Sequence, residues 1–216
     1  MISGHMDTPN RRPLKTRSAL WARSVAKGLA RTALTPNQIS VASVVVALAG
    51  AAAMLTLSAP WSLLVCAACI QLRLLCNMLD GMVAVEGGKG SPTGALYNEL
   101  PDRIADSLFI VAIGYALAVP WLGWCGALLA AFTAYIRAIG GALGLPQDFR
   151  GPMAKPHRMA VLTGGCLIGA LEASVWHSHV VLLVAEWIVA VGSLLTCMTR
   201  TRAIARQLET RPKPSA

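Results

Sequence analysis

Charged residues are scarce in this sequence, and their scarcity excludes an ordinary soluble domain. Of the 216 residues, 13% are charged and 55% are hydrophobic, and the mean hydropathy is +0.57. A helix that crosses a bilayer needs about 20 apolar residues, and the chain has room for six such helices. The predicted segments are residues 37–57, 61–85, 94–119, 121–145, 159–176 and 180–200. We therefore predict an all-α integral membrane protein with six transmembrane helices.

Cysteine and histidine do not occur together at the spacing of a zinc site. The chain has six cysteines and four histidines, and nearly all of the cysteines lie in apolar segments. A thiol in such a segment is most often a small buried side chain. The sequence therefore argues against zinc chemistry.

Acidic residues are also few, with ten Asp and Glu against 19 Lys and Arg and a net charge of +9. The short loops at 58–60, 120 and 177–179 contain no Lys or Arg. Because basic residues remain on the cytoplasmic side, we expect both termini and the site to face the cytoplasm, in a bacterial inner membrane. A basic face attracts anionic head groups and phosphorylated substrates. No nucleic-acid partner is expected, since no recognition module is present.

The chain divides into a basic N-terminal arm (1–34), a membrane domain (35–200) and a cytoplasmic tail (201–216). Apolar residues recur at helical spacing among the basic residues of the arm, which predicts an amphipathic helix at the membrane interface. A basic leader without regular structure, or an organelle-targeting segment, is the alternative. Thr35 followed by Pro36 predicts the start of the first membrane helix.

Polar residues cluster where the second and third segments approach each other. Asn77 and Asp80 share one helix face, and Asn98, Asp102 and Asp106 share another. The link between the segments is short, so the two helices are predicted to be antiparallel neighbours. Converging carboxylates repel one another unless a cation lies between them, and oxygen ligands favour Mg²⁺, Mn²⁺ or Ca²⁺. Alternatively, Asp102 and Asp106 pair with the arginines at 73, 103 and 137 and hold the bundle together.

The residues of this cluster resemble the motif of the CDP-alcohol phosphotransferases, also called CDP-alcohol phosphatidyltransferases. The family motif is D-x2-D-G-x2-A-R-x8-G-x3-D-x3-D, and this sequence has N-x2-D-G-x2-A-V-x8-G-x3-N-x3-D between residues 77 and 102. The resemblance extends to 35–37, 91–94 and 135–138 and implies the six-helix fold, a homodimer and a part in phospholipid biosynthesis. It also implies transfer of a phosphatidyl or similar group from a CDP-linked lipid donor to an alcohol acceptor, with release of CMP.

The resemblance assigns a role to each motif position. One or two Mg²⁺ or Mn²⁺ ions would be held by Asn77, Asp80, Asn98 and Asp102, and Asp102 would also be the catalytic base. The resemblance also implies roles for three further groups: Gly81, Ala84 and Gly94 for the nucleotide; Arg137, Lys155 and Arg158 for the phosphate or the acceptor; Glu99 and Asp106 as alternate metal ligands.

Three positions depart from the family motif: Asn77 and Asn98 replace aspartates, and Val85 replaces an arginine. Each asparagine removes one negative charge, so the site would bind metal more weakly or hold one ion in place of two. A slipped register, with Asp102 and Asp106 as the aspartate pair, is the alternative alignment. A catalytically weakened subunit that binds lipid or nucleotide, and a small transporter, are the competing functions.

Overall fold

The computed structural model describes residues 20–85 and 87–211, and every regular element in this part of the chain is an α-helix. Seven helices occur there: α1 (Leu20–Ala30), α2 (Pro36–Thr56), α3 (Trp61–Val85), α4 (Gly94–Ala116), α5 (Pro120–Ala142), α6 (Lys155–Trp176) and α7 (Val180–Glu209).

Helices α2 to α7 form a closed ring around one apolar core. The order around the ring is α2, α4, α5, α7, α6 and α3, and α3 packs back against α2. Side chains from opposite sides of the ring meet in the middle, among them Ile70 of α3, Phe109 of α4, Leu162 of α6 and Val189 of α7. Chain neighbours are therefore not always ring neighbours, since α4 contacts α2 and α5 more extensively than it contacts α3.

Five of the described helices, α2, α3, α5, α6 and α7, are long and apolar enough to cross a membrane. Helix α4 coincides with the remaining predicted span and has 23 residues. Its residues 99–106 include Glu99, Asp102, Arg103 and Asp106, so its composition differs from that of an ordinary membrane helix. The fold is thus a helical integral membrane bundle with one strongly charged helix in its wall.

The start of α2 is confirmed as predicted. Thr35 is the N-cap, and its hydroxyl accepts a hydrogen bond of 3.2 Å from the backbone N–H of Gln38. The Gln38 side chain accepts one of 2.9 Å from the Thr35 N–H in return. This reciprocal pair satisfies two of the amides that a helix start leaves unpaired.

The last helix continues beyond the predicted boundary at residue 200, as far as Glu209. Ile204 is buried against Gly140 of α5, where an added Cβ would lie 3.0 Å from the Ile204 side chain. Arg211 donates hydrogen bonds of 2.9 and 3.2 Å to the carbonyls of Leu143 and Gly144, just after α5 ends. Residues 201–209 of the predicted tail therefore belong to the bundle, and residues 212–216 lie outside the described part.

Helix α1 lies against α3 through small side chains. Ala22 and Ala26 are buried in a cluster with Met82 and Val83, while Trp21 is half exposed. Small residues allow two helices to approach closely. The section of the predicted arm before residue 20 lies outside the described residues.

Candidate functional site

A cavity of about 750 Å³ opens at the end of the ring where α4 and α6 begin and α3, α5 and α7 end. Trp21 of α1 and Phe149 of the link between α5 and α6 contribute aromatic walls. Polar side chains line the rest: Gln71, Asn77, Asn98, Glu99, Asp102, Arg103, Thr133, Arg137, Lys155, Arg158 and Arg200. Five of these are cationic and two are acidic, so the cavity favours an anionic ligand.

Asp102 lies at the centre of the charged side chains. Arg73 Nη2 donates to its Oδ1 at 3.0 Å and to its backbone carbonyl at 3.0 Å. Its other oxygen, Oδ2, accepts a hydrogen bond from the Lys155 ammonium and lies 3.7 Å from Arg103 Nη2. Both carboxylate oxygens of Asp102 are therefore paired with cations.

Asp106 lies one turn further along α4 and points away from the cavity into the bundle. Arg73 Nη2 is 2.7 Å from its Oδ1, and Arg158 Nη2 is 2.7 Å from its Oδ2. All three side chains are almost completely buried. The alternative in which arginines hold these aspartates is confirmed for Arg73, which bridges Asp102 and Asp106; Arg103 approaches Asp102, and Arg137 pairs with Glu99 instead.

Asp80 and the two motif asparagines supply oxygen atoms that no cation already holds. The Ser40 hydroxyl donates to Asp80 Oδ2 at 2.5 Å. Asp80 Oδ1 is buried and accepts no hydrogen bond from a side chain among the described residues, although the Gly81 backbone hydrogen-bonds to this carboxylate. Asn77, one turn earlier on α3, and Asn98 of α4 line the cavity.

This set of atoms fits a hard divalent cation. A buried carboxylate without a cationic partner has lost its hydration and requires a proton or a cation. Amide and carboxylate oxygens are the ligands that Mg²⁺ and Mn²⁺ accept. Within the described ranges, three acidic, histidine or cysteine side chains do not come together in a metal-site arrangement. An ion at this site would therefore need oxygen ligands besides carboxylates, and the amide oxygens of Asn77 and Asn98 are such ligands.

The three small residues predicted to face a nucleotide lie beside the cavity and do not line it. Gly81 and Ala84 are in the last turns of α3, and Gly94 is the first residue of α4. The Asn37 side chain donates at 3.5 and 3.4 Å to the hydroxyls of Ser91 and Thr93, joining the start of α2 to the link before α4. Val85, at the arginine position of the motif, is exposed.

The link between α5 and α6 forms one wall of the cavity. Arg137 Nη1 donates to Gln147 at 2.7 Å, and the Arg137 guanidinium lies over the Phe149 ring at 5.2 Å. Burial raises the pKa of the neighbouring Asp148 carboxyl, but hydrogen bonds from Arg150 outweigh that effect, and the pKa is lowered from its usual value. The ionised carboxylate accepts hydrogen bonds from the Arg150 backbone and side chain and so fixes the turn next to Phe149.

Two arginines, Arg73 and Arg200, make more contacts at the site than the sequence predicts. The sequence predicts Arg73 only as a partner of aspartates, and it assigns no role to Arg200, the last residue of the predicted membrane domain. Arg200 is buried, and its guanidinium donates to the carbonyls of Arg150 at 2.8 Å and Thr133 at 2.6 Å. In the part of the chain that the structure describes, no carboxylate lies at hydrogen-bond distance from the positive charge of Arg200. A basic residue at the end of an apolar run was the only available signal.

Relatives of this chain occur among known lipid synthases, although no family model matches it. The phosphatidylinositol phosphate synthase of Mycolicibacterium smegmatis is 30% identical over 88% of this chain and 87% of the relative. The archaetidylinositol phosphate synthase of Aeropyrum pernix is 32% identical over 87% of this chain and 91% of the relative.

Solved structures of the phosphatidylinositol phosphate synthase of Mycobacterium tuberculosis are similar in fold. The crystal structure with CDP-DAG bound has a TM-score of 0.71 and 28% identity, and the match covers 86% of this chain and 94% of that one. The crystal structure in complex with manganese and citrate has a TM-score of 0.73 and 28% identity, with coverage of 85% and 88%. The similarity therefore extends over most of both chains.

Proposed function

This chain belongs to the CDP-alcohol phosphatidyltransferase family, and we propose that its acceptor alcohol is an inositol phosphate. It is a membrane transferase of phospholipid biosynthesis that moves a phosphatidyl group from a CDP-linked lipid to an alcohol, and it requires Mg²⁺ or Mn²⁺. The names of its relatives suggest the acceptor, and the charge of the cavity supports it independently.

The excess of cations around the cavity is the observation that carries the proposal. Among residues 20–85 and 87–211, the hydrogen-bond partners of the Arg200 guanidinium are carbonyls, and Arg137 pairs with one half-exposed carboxylate, that of Glu99. Guanidinium groups bind phosphate through paired hydrogen bonds. An acceptor with its own phosphate would place that group between Arg137 and Arg200 and its hydroxyl toward Asp102. Lys155 and Arg158 are assigned to the same acceptor or to the donor phosphates.

Asp102 is proposed as the group that takes the proton of the acceptor hydroxyl. It is the acidic residue that both lines the cavity and lies on the motif, and its Oδ2 is on the side from which Lys155 reaches it. A base must lie within hydrogen-bond distance of the proton it removes. The acceptor hydroxyl would displace or join Lys155 at Oδ2 while Arg73 continues to hold Oδ1.

The metal is assigned to Asn77, Asp80 and Asn98 among the four predicted ligands, because both carboxylate oxygens of the fourth, Asp102, are paired with Arg73 and Lys155. When bound, the ion stabilises negative charge on the phosphate oxygens of the donor. Glu99 is paired with Arg137, and Asp106 is buried between Arg73 and Arg158. These pairings disfavour the slipped register and the use of either residue as an alternate ligand. Gly81, Ala84 and Gly94 are assigned to the nucleotide beside the cavity.

We also propose the arrangement of the chain in the bilayer. Helix α4 would be the sixth span, because its charged residues are paired within the bundle at the end where the basic loops lie. Helix α1 would lie in the interface, with Trp21 at head-group depth and both termini in the cytoplasm of a bacterial cell. The family resemblance further implies a homodimer.

The test is CMP release from CDP-diacylglycerol by the purified protein in detergent. Inositol phosphate, inositol, glycerol 3-phosphate and serine are compared as acceptors, each with Mg²⁺, Mn²⁺ or EDTA. We expect release that depends on inositol phosphate and is abolished by EDTA. Faster release with an uncharged acceptor would refute the proposed acceptor. Donor binding without release for any acceptor would instead favour a non-catalytic lipid-binding subunit.

A pair of arginine variants tests the phosphate subsite. Arg200→Gln is expected to raise the KM for inositol phosphate about tenfold or more, because hydrogen bonds to a charged group contribute about 1.5–3 kcal/mol. Its matched control is Arg202→Gln, an exposed arginine on the same helix, for which KM should be unchanged. Equal effects of the two substitutions would contradict the assignment.

A further inference from the structure

We infer that this chain holds a single divalent ion, and that Arg73 and Lys155 are fixed cations that neutralise Asp102 in place of a second ion. The inference rests on the proposed metal-dependent function and concerns how this particular chain meets it.

The motif positions of this chain carry fewer negative charges than those of the family motif. The family motif has carboxylates at all four positions, whereas this chain keeps them at Asp80 and Asp102 and has amides at Asn77 and Asn98. The two lost negative charges equal the charge of one divalent ion. Because Arg73 and Lys155 already pair with Asp102, Asp80 is the motif carboxylate left to face an ion. A second ion would add positive charge that no motif carboxylate balances, in a region of low dielectric constant.

Both carboxylate oxygens of Asp102 are already bonded to basic side chains. Its Oδ1 is bonded to Arg73, whose side chain is completely buried, and its Oδ2 is bonded to Lys155. Arg73 is also paired with Asp106 at 2.7 Å, so a second buried carboxylate holds its guanidinium beside Asp102. A divalent ion on Oδ2 would meet the Lys155 ammonium at short range and be repelled. Arg73 lies four residues before the motif on the same face of α3, outside the family pattern.

Asp80 differs from Asp102 in its partners. Its Oδ1 is buried and accepts no hydrogen bond from a side chain in the described part of the chain, the Gly81 backbone hydrogen-bonds to its carboxylate, and no basic side chain forms an ion pair with it there. Asn77 lies one turn away on the same helix. The position beside Asp80 can therefore accept an ion, whereas the position beside Asp102 is already filled by cationic side chains.

The test counts ions by a method that does not depend on turnover. The full chain in detergent is saturated with Mn²⁺ in the presence of CDP-diacylglycerol, and bound manganese is measured by elemental analysis and electron paramagnetic resonance. We expect one Mn²⁺ per chain and the six-line spectrum of an isolated ion. Two ions per chain, or the spectrum of a coupled pair, would overturn the inference while leaving metal dependence intact. Absence of bound manganese would overturn both.

Variants that restore the family charges test the cause. The triple variant Asn77→Asp, Asn98→Asp, Lys155→Gln is expected to bind two Mn²⁺ per chain and to give a coupled spectrum. The matched control carries Asn77→Asp and Asn98→Asp together with Lys89→Gln, and it keeps Lys155. Lys89 lies outside the cavity and bonds to the carbonyls of Thr32 and Leu34. We expect the second Mn²⁺ to bind at least tenfold more weakly in this control. Equal second-site affinities would overturn the role of Lys155.

Discussion

Two aspartates one turn apart on α4 have surroundings that predict different roles. Asp102 lines the cavity and faces Lys155, whereas Asp106 is enclosed by Arg73 and Arg158. Replacing Asp102 by Asn keeps the shape of the side chain and removes the base, so we expect CMP release to fall about 100-fold or more. The fold should persist, because Arg73 keeps its bonds to the Asp102 carbonyl and to Asp106.

The matched control is Asp106→Asn. Removing one partner of a buried ion pair destabilises a protein by about 3–5 kcal/mol, so this variant should unfold at lower denaturant concentration in mixed micelles. Activity and unfolding are measured for both variants. Full turnover in Asp102→Asn would refute the role of Asp102 as the base. Equal destabilisation by the two substitutions would refute the assignment of catalysis to Asp102 and of stability to Asp106.

Some residues of the site could be predicted from the sequence, and some of their contacts could not. The polar cluster at 77–106 follows from helical spacing and the cost of charge in apolar segments. The partners of Asp102 could not be predicted in this way, because Arg73 and Lys155 belong to other helices. Distance along the sequence does not indicate that these side chains approach Asp102. The position of Arg200 in the site was not predicted for the same reason, because the packing of α7 on α5 brings it to Thr133.

At the scale of helices, close contacts depend on glycine where backbones meet. Gly114 of α4 faces Gly123 of α5, and an added Cβ on Gly114 would lie 2.7 Å from the Gly123 Cα and 2.8 Å from its nitrogen. Backbone atoms cannot rotate away as a side chain can. The α4–α5 contact therefore sets the position of the charged end of α4.

We expect Gly114→Ala to lower the free energy of unfolding by about 1–3 kcal/mol, as overpacking in a tight core does. The control is Gly141→Ala near the end of α5, where an added Cβ meets nothing within 4 Å; this change should be neutral or stabilising by up to about 1 kcal/mol. Unfolding in mixed micelles measures both. Similar stability of the two variants would show that α4 and α5 can separate without cost.

Helix positions were more predictable than helix neighbours. The apolar runs locate α2, α3, α5, α6 and α7 to within a few residues at most of their ends. The order around the ring depends on which faces fit together, and composition does not encode it. The predicted end of α7 is too early, because Ile204 packs against α5 and Arg211 bonds to the carbonyls just after α5. A run of basic residues gives no sign of these contacts.

For the whole molecule, the distribution of basic residues determines orientation. The site end of the ring carries Lys89, Arg150, Lys155 and the arginines after residue 199, and the link 177–179 at the other end carries none. Since Lys and Arg are retained in the cytoplasm, the cavity should open there, where CDP-linked lipids and phosphorylated acceptors are both charged and water-exposed.

Labelling in intact bacterial cells tests this orientation. In a Cys125→Ser background, which removes an exposed native thiol, His177→Cys should react with a membrane-impermeant maleimide. Thr210→Cys, at the exposed end of α7, should react only after the cells are permeabilised. The reverse pattern would place the cavity on the outer face, away from the cytoplasmic supply of nucleotide-linked donor. It would contradict the topology while leaving the chemistry of the site unchanged.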